Sequence, residues 1–203
     1  MQLLGRYLSP FVRRVATTLG IYGIPFESNP LQHTGDDAPH LRALNPVGRV
    51  PALVLDNNEI IVDSAAIIDY LDREVGPERA LTPASGSDRT RVMSLTGIAL
   101  GGIEKGVAVA YEARFRPKEI RHAPWVERCS EQTRGAYEHL DSLLQGDWLH
   151  GDKMTQADLT TAIGWQFMAK ATPDLKASIN APRIDGLVER MMKIPEFKAT
   201  LPE

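Results

Sequence analysis

The chain has 203 residues, 43% of them hydrophobic and 24% charged, and its 23 basic and 26 acidic residues leave a net charge of −3. A chain of this length folds without disulfides or metal ions. The small negative charge excludes the electrostatic footprint of a dedicated nucleic-acid binder. The single cysteine excludes a disulfide framework, a CxxC redox pair and a cysteine-built zinc site. Because neither a signal peptide nor a run of ~18 apolar residues stands out, we expect a cytoplasmic protein.

The first 76 residues alternate short apolar runs with turn signals. Residues 1–5 form an apolar run typical of a buried strand. Ser9, followed by a proline, predicts the start of a helix over 10–20, because serine caps helices and proline fits their first position. A second strand is predicted at 26–31 and a short helix at 39–44.

Two apolar runs around the turn Asp56-Asn57-Asn58 predict an antiparallel hairpin at 51–55 and 59–62. Ser64 then predicts the cap of a helix over 65–75, ended by glycine and proline. The order strand, helix, strand, short helix, hairpin, helix favours a small mixed sheet with helices on both faces.

The second half of the chain is predicted to be helical throughout. Residues 78–87 have the composition of a linker. Helix after helix follows, and the last one is expected to close at Pro195. The predicted helices cover 88–115 with a bend at Gly101-Gly102, 124–144, a segment opened by the capping signature Thr155-Gln156-Ala157-Asp158, and 184–194.

Four features in the first half suggest a binding site, although each has a structural alternative. Ser9 and the pair Asp63-Ser64 stand at helix starts, where caps are common. Val50-Pro51 alone is a strand-entry proline, and Arg49 alone is a solvated charge. Together they would bring two helix N-termini and a proline-led strand to one sheet edge. Helix N-termini attract carboxylates and thiolates, so a peptide with two carboxylates and a thiol matches such an edge.

Three segments of the first half resemble glutathione S-transferases: GRYLSPFVRRV at 5–15, NPVGRVPAL at 45–53 and DSAAIIDYL at 63–71. Gly151-Asp152, followed by the capping signature at 155–158, resembles the C-terminal folding motif of that family. These matches occur in the family's order and extend over nearly the whole chain. The SPFVRRV run is most similar to serine-type members such as the plant tau class and its bacterial relatives.

The resemblance implies a thioredoxin-like α/β glutathione-binding domain at 1–77, a linker at 78–87 and an all-α domain at 88–203 that lines the electrophile site. It implies a detoxification enzyme, a glutathione transferase acting on alkyl or aryl groups. In this reaction the glutathione thiolate attacks a hydrophobic electrophile. Glutathione is then the co-substrate and a second copy of the chain completes a homodimer, with no metal, nucleic acid or membrane involved.

The resemblance also assigns roles around the sulfur of glutathione. Ser9 matches the catalytic serine whose hydroxyl donates to that sulfur. Pro51 matches a cis-proline that turns the Val50 backbone outward to pair with the cysteinyl unit. A cis bond is rare even before proline, so the fold has to enforce it.

The two ends of the tripeptide are assigned in the same way. Ser64 matches the serine that binds the γ-glutamyl carboxylate, and Asp63 the acidic residue nearer its ammonium, where the family more often has Glu or Gln. Arg49 matches a basic or amide position facing the glycyl carboxylate. Some classes add a basic residue ahead of the second helix, where this chain has Asp36 and Asp37.

Aromatic and other side chains leave alternatives open. Tyr7 and Tyr111 are equally consistent with electrophile binding and with packing. For Trp165 core packing is favoured, and for Cys129 helix packing, because the thiol-transferase position lies elsewhere. Asp158 is expected to cap a helix.

A rival hypothesis makes the protein a non-catalytic adaptor that keeps this fold for protein contacts. The presence of Ser9, Arg49, Pro51 and Ser64 together argues against it, because an adaptor has no need of all four. A maleylacetoacetate isomerase is disfavoured because the SSCxxC-like signature of the zeta class is absent.

Overall fold

The computed structural model describes residues 1–202, which form two units. The first unit contains residues 1–80 together with 192–202, and the second contains Leu81–Met191. The first unit is built on a four-stranded sheet of order β2-β1-β3-β4, in which β1 and β2 are parallel and the other neighbours antiparallel. Its strands are β1 (Gln2–Leu4), β2 (Glu27–Asn29), β3 (Ala52–Val54) and β4 (Ile60–Val62).

Helices cover both faces of this sheet. Side chains alternate between the two faces along each strand, so the strands bury apolar residues on both faces. Leu4 and Ala52 point to one face, where they form a core with Leu41 of α2. Leu3 and Leu53 are buried on the opposite face, where α1 and α3 contact the strands. The helices of the first unit are α1 (Pro10–Tyr22), α2 (Ala38–Leu44), α3 (Ser64–Val75) and, after the second unit, α9 (Pro195–Ala199), with a 3₁₀ turn at Gly35–Asp37.

The second unit is helical, and α4 packs against both α5 and α6. Small residues permit this close approach. A Cβ atom on Gly164 would overlap the Tyr137 hydroxyl and the Ile103 side chain, and one on Gly102 would lie 3.0 Å from Tyr137. The helices are α4 (Gly86–Phe115), α5 (Ala123–Leu143), α6 (Gln156–Ala171), α7 (Pro173–Ala177) and α8 (Pro182–Met191), with a 3₁₀ turn at Lys118–Ile120.

The buried carboxylate of Asp158 organises the start of α6. It accepts hydrogen bonds from the Leu149 amide (2.7 Å), the Thr155 amide (2.8 Å) and the Thr155 hydroxyl (2.7 Å). Burial raises the pKa of Asp158, and these hydrogen bonds oppose the rise. The prediction that Asp158 caps a helix is confirmed.

Two predictions about helix ends differ from the structure. Asp63, not Ser64, caps α3, because its carboxylate accepts from the Ala65 amide while its φ of 73° lies outside the helical range. Pro195 begins a helix instead of closing one, since proline suits a first turn. The predicted domains at 1–77 and 88–203, with a linker at 78–87, stay a prediction beside the two units. Residues 192–202 belong to the first unit, because Phe197 packs against α1.

The sequence predicts no segment apolar enough to span a membrane, but α4 is long and apolar enough by length and composition alone. One 18-residue window of α4 has a mean hydropathy of 1.3, which together with its length meets the usual criteria for a span. The core helices of soluble proteins meet the same criteria. Because α4 packs against α5 and α6, its composition is weak evidence for a membrane.

Candidate active site

Three connections leave the sheet of the first unit at one edge. Leu4 pairs with Ala52, and Ala52 pairs with Val62, so the end of β1, the start of β3 and the end of β4 are in register. Ser9 follows β1, Val50-Pro51 precedes β3 and Asp63-Ser64 follows β4. Strand register therefore brings the predicted site segments to a common edge.

Gly5 joins two of these segments. Its φ of +121° is one that side chains rarely adopt. A Cβ atom here would lie 2.6 Å from the Val12 side chain and 2.8 Å from the Val50 Cβ. The absence of a side chain thus lets the first turn of α1 pack against the loop that carries Val50.

Ser9 is half-buried and caps α1, as predicted. Its hydroxyl oxygen accepts from the Val12 amide (3.4 Å), and its carbonyl accepts from the Arg13 amide (2.9 Å). The Ser9 amide donates to the Arg6 carbonyl (3.0 Å), which fixes the turn before the helix. Because Ser9 Oγ accepts in this cap, its proton is available to donate to a ligand.

The loop before β3 holds Val50 and Arg49. The Val50–Pro51 peptide bond is cis, as the resemblance implied. Asn45 shapes the loop: its side chain donates to the Arg49 carbonyl (2.7 Å) and accepts from the Val47 amide (3.1 Å). The Arg49 guanidinium is exposed and has no hydrogen-bond partner within residues 1–202. The loop thus offers a backbone edge and a free cation.

At the third segment, Ser64 opens α3 and is buried. Its hydroxyl oxygen accepts a hydrogen bond from the Arg14 guanidinium of α1 (3.3 Å), which leaves the Ser64 proton to donate elsewhere. Asp63 is exposed, and one of its carboxylate oxygens accepts from the Ala65 amide (2.8 Å). The other oxygen is available to a ligand.

Arg14 is a buried cation that the sequence analysis missed. Across the described residues, Ser64 is the only hydrogen-bond partner of its guanidinium, and Nε has none. Burial lowers the pKa of Arg14 to about 10, although the negative charges of Asp63 and Asp72 oppose this. A buried charge that lacks a close counter-ion is costly. It therefore favours an anion at the N-terminus of α3.

A weak signal for Arg14 exists in the sequence. Arg14, Thr18 and Tyr22 recur every four residues, so they share one side of α1. This side faces α3, where the Tyr22 hydroxyl donates to Asp72 (2.5 Å). A polar stripe on a helix that is otherwise apolar indicates a buried polar contact, but it does not identify the partner.

The second unit holds the remaining candidates. Tyr111 is 44% exposed and packs edge-to-face on Phe115, with 5.1 Å between ring centroids. Trp165 is buried and donates to the Asp185 carboxylate (2.7 Å), which confirms the core-packing prediction. Cys129 is buried as predicted, and this burial raises the pKa of its thiol.

Two remaining features of the site are the position of Tyr7 and the potential to hold a metal ion. Tyr7 is half-buried in the turn between β1 and α1, two residues before Ser9. Within residues 1–202, no group of three or more His, Cys, Asp or Glu side chains is placed to hold a metal ion.

The four-stranded mixed sheet, the two capped helix starts and the cis-proline loop define a thioredoxin-like fold. The sequence matches the family models of the glutathione S-transferase N-terminal domain over residues 3–79 and C-terminal domain over residues 108–195. The chain belongs to the glutathione S-transferase family.

Named relatives agree with this assignment. The chain is 28% identical to the uncharacterized GST-like protein YibF of Escherichia coli K12, an alignment that covers 100% of this chain and 98% of the relative. It is 30% identical to a maleylacetoacetate isomerase of Pseudomonas aeruginosa, which covers 78% of this chain and 77% of the isomerase. A solved glutathione transferase family member from Pseudomonas fluorescens Pf-5, with bound glutathione, shares 28% identity and a TM-score of 0.86 over 100% of this chain and 98% of that one.

Proposed function

We propose that this protein is a glutathione transferase that activates the thiolate of glutathione with Ser9 for attack on a hydrophobic electrophile. One observation carries the proposal: Ser9, the Val50 backbone and the Ser64–Arg14 pair lie at the same registered sheet edge. These groups complement a thiol, a peptide backbone and a carboxylate. The Pseudomonas fluorescens family member with bound glutathione supports the choice of ligand.

The γ-glutamyl end of glutathione is proposed to bind at the start of α3. Its carboxylate accepts from the Ser64 hydroxyl and from the free amides of the first helical turn. Arg14 lies directly beneath Ser64, so its charge also favours the carboxylate. The free oxygen of Asp63 accepts from the ammonium group. A charged ligand then compensates a cation that the protein leaves without a close counter-ion.

The remainder of glutathione is proposed to extend along the cis-proline loop. The Val50 backbone beside Pro51 pairs with the cysteinyl unit in the manner of an added strand. The exposed Arg49 guanidinium pairs with the glycyl carboxylate. Asp36 and Asp37 supply no second cation, so this end of the tripeptide is held more weakly than the γ-glutamyl end.

Ser9 is proposed to stabilise the thiolate. A thiol with a pKa of ~8.5 is only ~3% ionised at pH 7. A hydrogen bond from Ser9, together with the N-terminus of α1, supplies ~2.7 kcal/mol, or ~2 pKa units, and raises the ionised fraction to ~75%. The lower basicity of the thiolate reduces its nucleophilicity roughly 8-fold. The net gain in reaction rate from ionisation is therefore only ~3-fold. A larger contribution from Ser9 would therefore reflect orientation of the sulfur.

Tyr7 and Tyr111 are proposed to contact the electrophile. The partly exposed aromatic ring of Tyr111 on α4 suits an apolar, planar substrate. Tyr7 also stands close to Ser9 in sequence, which makes it the next candidate to assist the thiol.

Substitution of Ser9 by Ala tests the proposal. We expect conjugation of a model electrophile to fall at pH 7, by up to ~3-fold through ionisation alone and by more through lost orientation of the sulfur, while glutathione affinity stays within about 2-fold. Ser28→Ala, at an exposed serine of β2, is the matched control. The measurements are kcat/KM against pH and the ultraviolet absorbance of the bound thiolate. Coincident profiles for wild type and Ser9→Ala would mean that Ser9 is only a helix cap.

Retention on immobilised glutathione separates the enzyme from the adaptor alternative. We expect the wild type to be retained and Ser64→Ala to elute earlier. An adaptor would pass through unretained and would show no conjugation with any electrophile.

The protein is further proposed to be a cytoplasmic homodimer, on the strength of the family to which it belongs. Light scattering at micromolar concentration is expected to report about twice the mass of one chain. A monomer at this concentration would contradict the dimer and leave the proposed chemistry untouched.

A further inference from the structure

The last helix of the chain returns to the first unit and packs along one side of α1. Arg13, Thr17 and Gly20 share this side, because helical residues three and four apart are neighbours. The Arg13 guanidinium lies 4.5 Å from the ring centroid of Phe197 and donates to the Phe197 carbonyl (3.3 Å). The hydroxyls of Thr17 and Thr200 are 2.8 Å apart. We name residues 192–202 the C-terminal strap.

The contact between the strap and α1 is fully buried. Phe197 is 0% exposed and Arg13 is 1% exposed. Among the described residues, the Arg13 guanidinium has no carboxylate partner and its Nε has no hydrogen-bond partner. Burial lowers the pKa of Arg13 to about 10. An apolar side chain would fill this site without the cost of burying a charge. We therefore attribute the presence of Arg13 to the position that it fixes and not to a gain in stability.

Arg13 connects the strap to the candidate catalytic residue. The Arg13 amide donates to the Ser9 carbonyl (2.9 Å), which is the first hydrogen bond of α1. The strap therefore holds the side chain of Arg13, and the backbone amide of the same residue closes the first helical turn at Ser9.

We infer that Phe197 and Arg13 are positioning residues: the C-terminal strap fixes the first turn of α1 and thereby aims the Ser9 hydroxyl and the helix N-terminus at the thiol. This inference rests on the proposed function. Without the strap contact the first turn frays, because the ends of helices are their least stable parts. The thiolate would then lose stabilisation, while the γ-glutamyl site on α3 would stay intact.

The test compares Phe197→Leu, which removes the ring but keeps buried apolar volume, with Phe197→Tyr, which keeps the ring. In Phe197→Leu we expect the apparent pKa of bound glutathione, read from thiolate absorbance, to rise by about 0.2–0.7. A pKa rise of this size alone leaves kcat/KM at pH 7 nearly unchanged, because the lower ionised fraction and the higher nucleophilicity offset each other. A fall in kcat/KM of about 2- to 5-fold is therefore expected from lost orientation of the sulfur, with KM for glutathione within about 2-fold. Phe197→Tyr keeps the ring at the Arg13 guanidinium and should return the thiol pKa to the wild-type value, with some loss of stability from its buried hydroxyl. Leu140→Ala, in α5 of the second unit, controls for general loss of stability.

Hydrogen exchange provides a readout that is independent of glutathione chemistry. In Phe197→Leu, the Val12 and Arg13 amides, which donate to Ser9, should exchange about 5-fold faster, equivalent to about 1 kcal/mol. Thr200→Val, which removes only the hydroxyl contact, gives a milder version if Phe197→Leu does not fold. Unchanged exchange in the first turn overturns the positioning role.

The outcomes separate the two proposals. If the wild type lowers the thiol pKa and Ser9→Ala raises it, but Phe197→Leu leaves it unchanged, the strap inference is wrong and the proposed function stands. If the wild type itself leaves the thiol pKa at its free value, the proposed function fails. Hydrogen exchange then still decides whether the strap holds the first turn.

Discussion

Two helix starts, one in each unit, bury a charged side chain in opposite ways. At the start of α6, the Asp158 carboxylate accepts three hydrogen bonds from Leu149 and Thr155. At the start of α3, the Arg14 guanidinium has only Ser64 as a partner. A buried charge that is saturated within the protein stabilises the fold. A buried charge with few hydrogen-bond partners favours the binding of a ligand of opposite charge.

The same contrast extends to the residues around each charge. Thr155 uses both its amide and its hydroxyl on Asp158, so it has little left for another molecule. Ser9 and Ser64 accept hydrogen bonds and keep a proton to donate. The comparison predicts that substitutions in the second unit will lower stability and that those at the sheet edge will lower binding.

The largest effect is expected for Asp158→Ala. Loss of the carboxylate leaves three buried donors unsatisfied, so the free energy of unfolding should fall by about 3–5 kcal/mol. Chemical denaturation measures this change. Asp152→Ala, at an exposed aspartate of the same loop, is the control and should change stability by less than about 0.5 kcal/mol. A loss of less than about 1 kcal/mol in Asp158→Ala would contradict the conclusion that the buried Asp158 carboxylate stabilises the fold.

Arg14→Met is expected to separate binding from stability. Glutathione affinity should fall roughly 10- to 150-fold, because the γ-glutamyl carboxylate loses a charge beneath Ser64. Stability without ligand should be unchanged or higher, since an apolar side chain replaces a buried cation. Calorimetric titration and denaturation of the same sample measure both quantities. Equal losses of affinity and stability would show that Arg14 is a structural residue like Asp158.

Ser64→Ala sharpens the assignment of this site. It removes the hydroxyl that is proposed to donate to the γ-glutamyl carboxylate, so glutathione affinity should also fall about 10-fold or more. In the double variant Arg14→Met, Ser64→Ala, the two losses should not add, because both residues are proposed to act on one carboxylate. Additive losses would place the two residues at separate sites.

A smaller effect is expected for Arg49→Ala. The guanidinium is exposed, so its pairing with the glycyl carboxylate is screened and should contribute only about 2- to 10-fold in affinity. The effect should shrink as salt is raised, whereas the effect of Arg14→Met should not. Arg42→Ala, at an exposed arginine of α2, serves as the control. A salt-independent loss in Arg49→Ala would contradict this placement.

The smallest effect is expected at Cys129. Burial raises the pKa of its thiol and so reduces the reactive thiolate at any pH below that pKa. The folded protein should resist alkylation at pH 8 under conditions that modify the unfolded chain. Cys129→Ser should leave conjugation within about 2-fold. Rapid alkylation of the folded protein, or loss of activity in this variant, would reopen a thiol-transferase mechanism.

The relatives bear on one further expectation. The zeta-class signature is absent at 9–14, where this chain reads SPFVRR, yet matched proteins include a maleylacetoacetate isomerase and zeta-class transferases. Overall similarity and the local motif therefore point to different classes. Membership of the family does not depend on this choice, because it rests on both domains of the chain.

Much of the first unit was predictable because its sequence signals are local. Apolar runs specified the strands, and short polar side chains marked the starts of α1 and α3. The cap of α3 was misplaced by one residue because Asp63 and Ser64 are both good caps. The choice between them depends on burial: Ser64 is held by Arg14 and Asp63 is solvated.

The sequence alone determined the family, the cap of α1 and the segments that lie at the sheet edge, because each depends on a motif or on near neighbours in the chain. Only the tertiary structure shows the contacts of Arg14 and Phe197. Arg14 meets a residue 50 positions away, and the side chain of Arg13 meets Phe197 across 184 positions. Local propensity carries no information about such partners, because they come together only when distant segments pack.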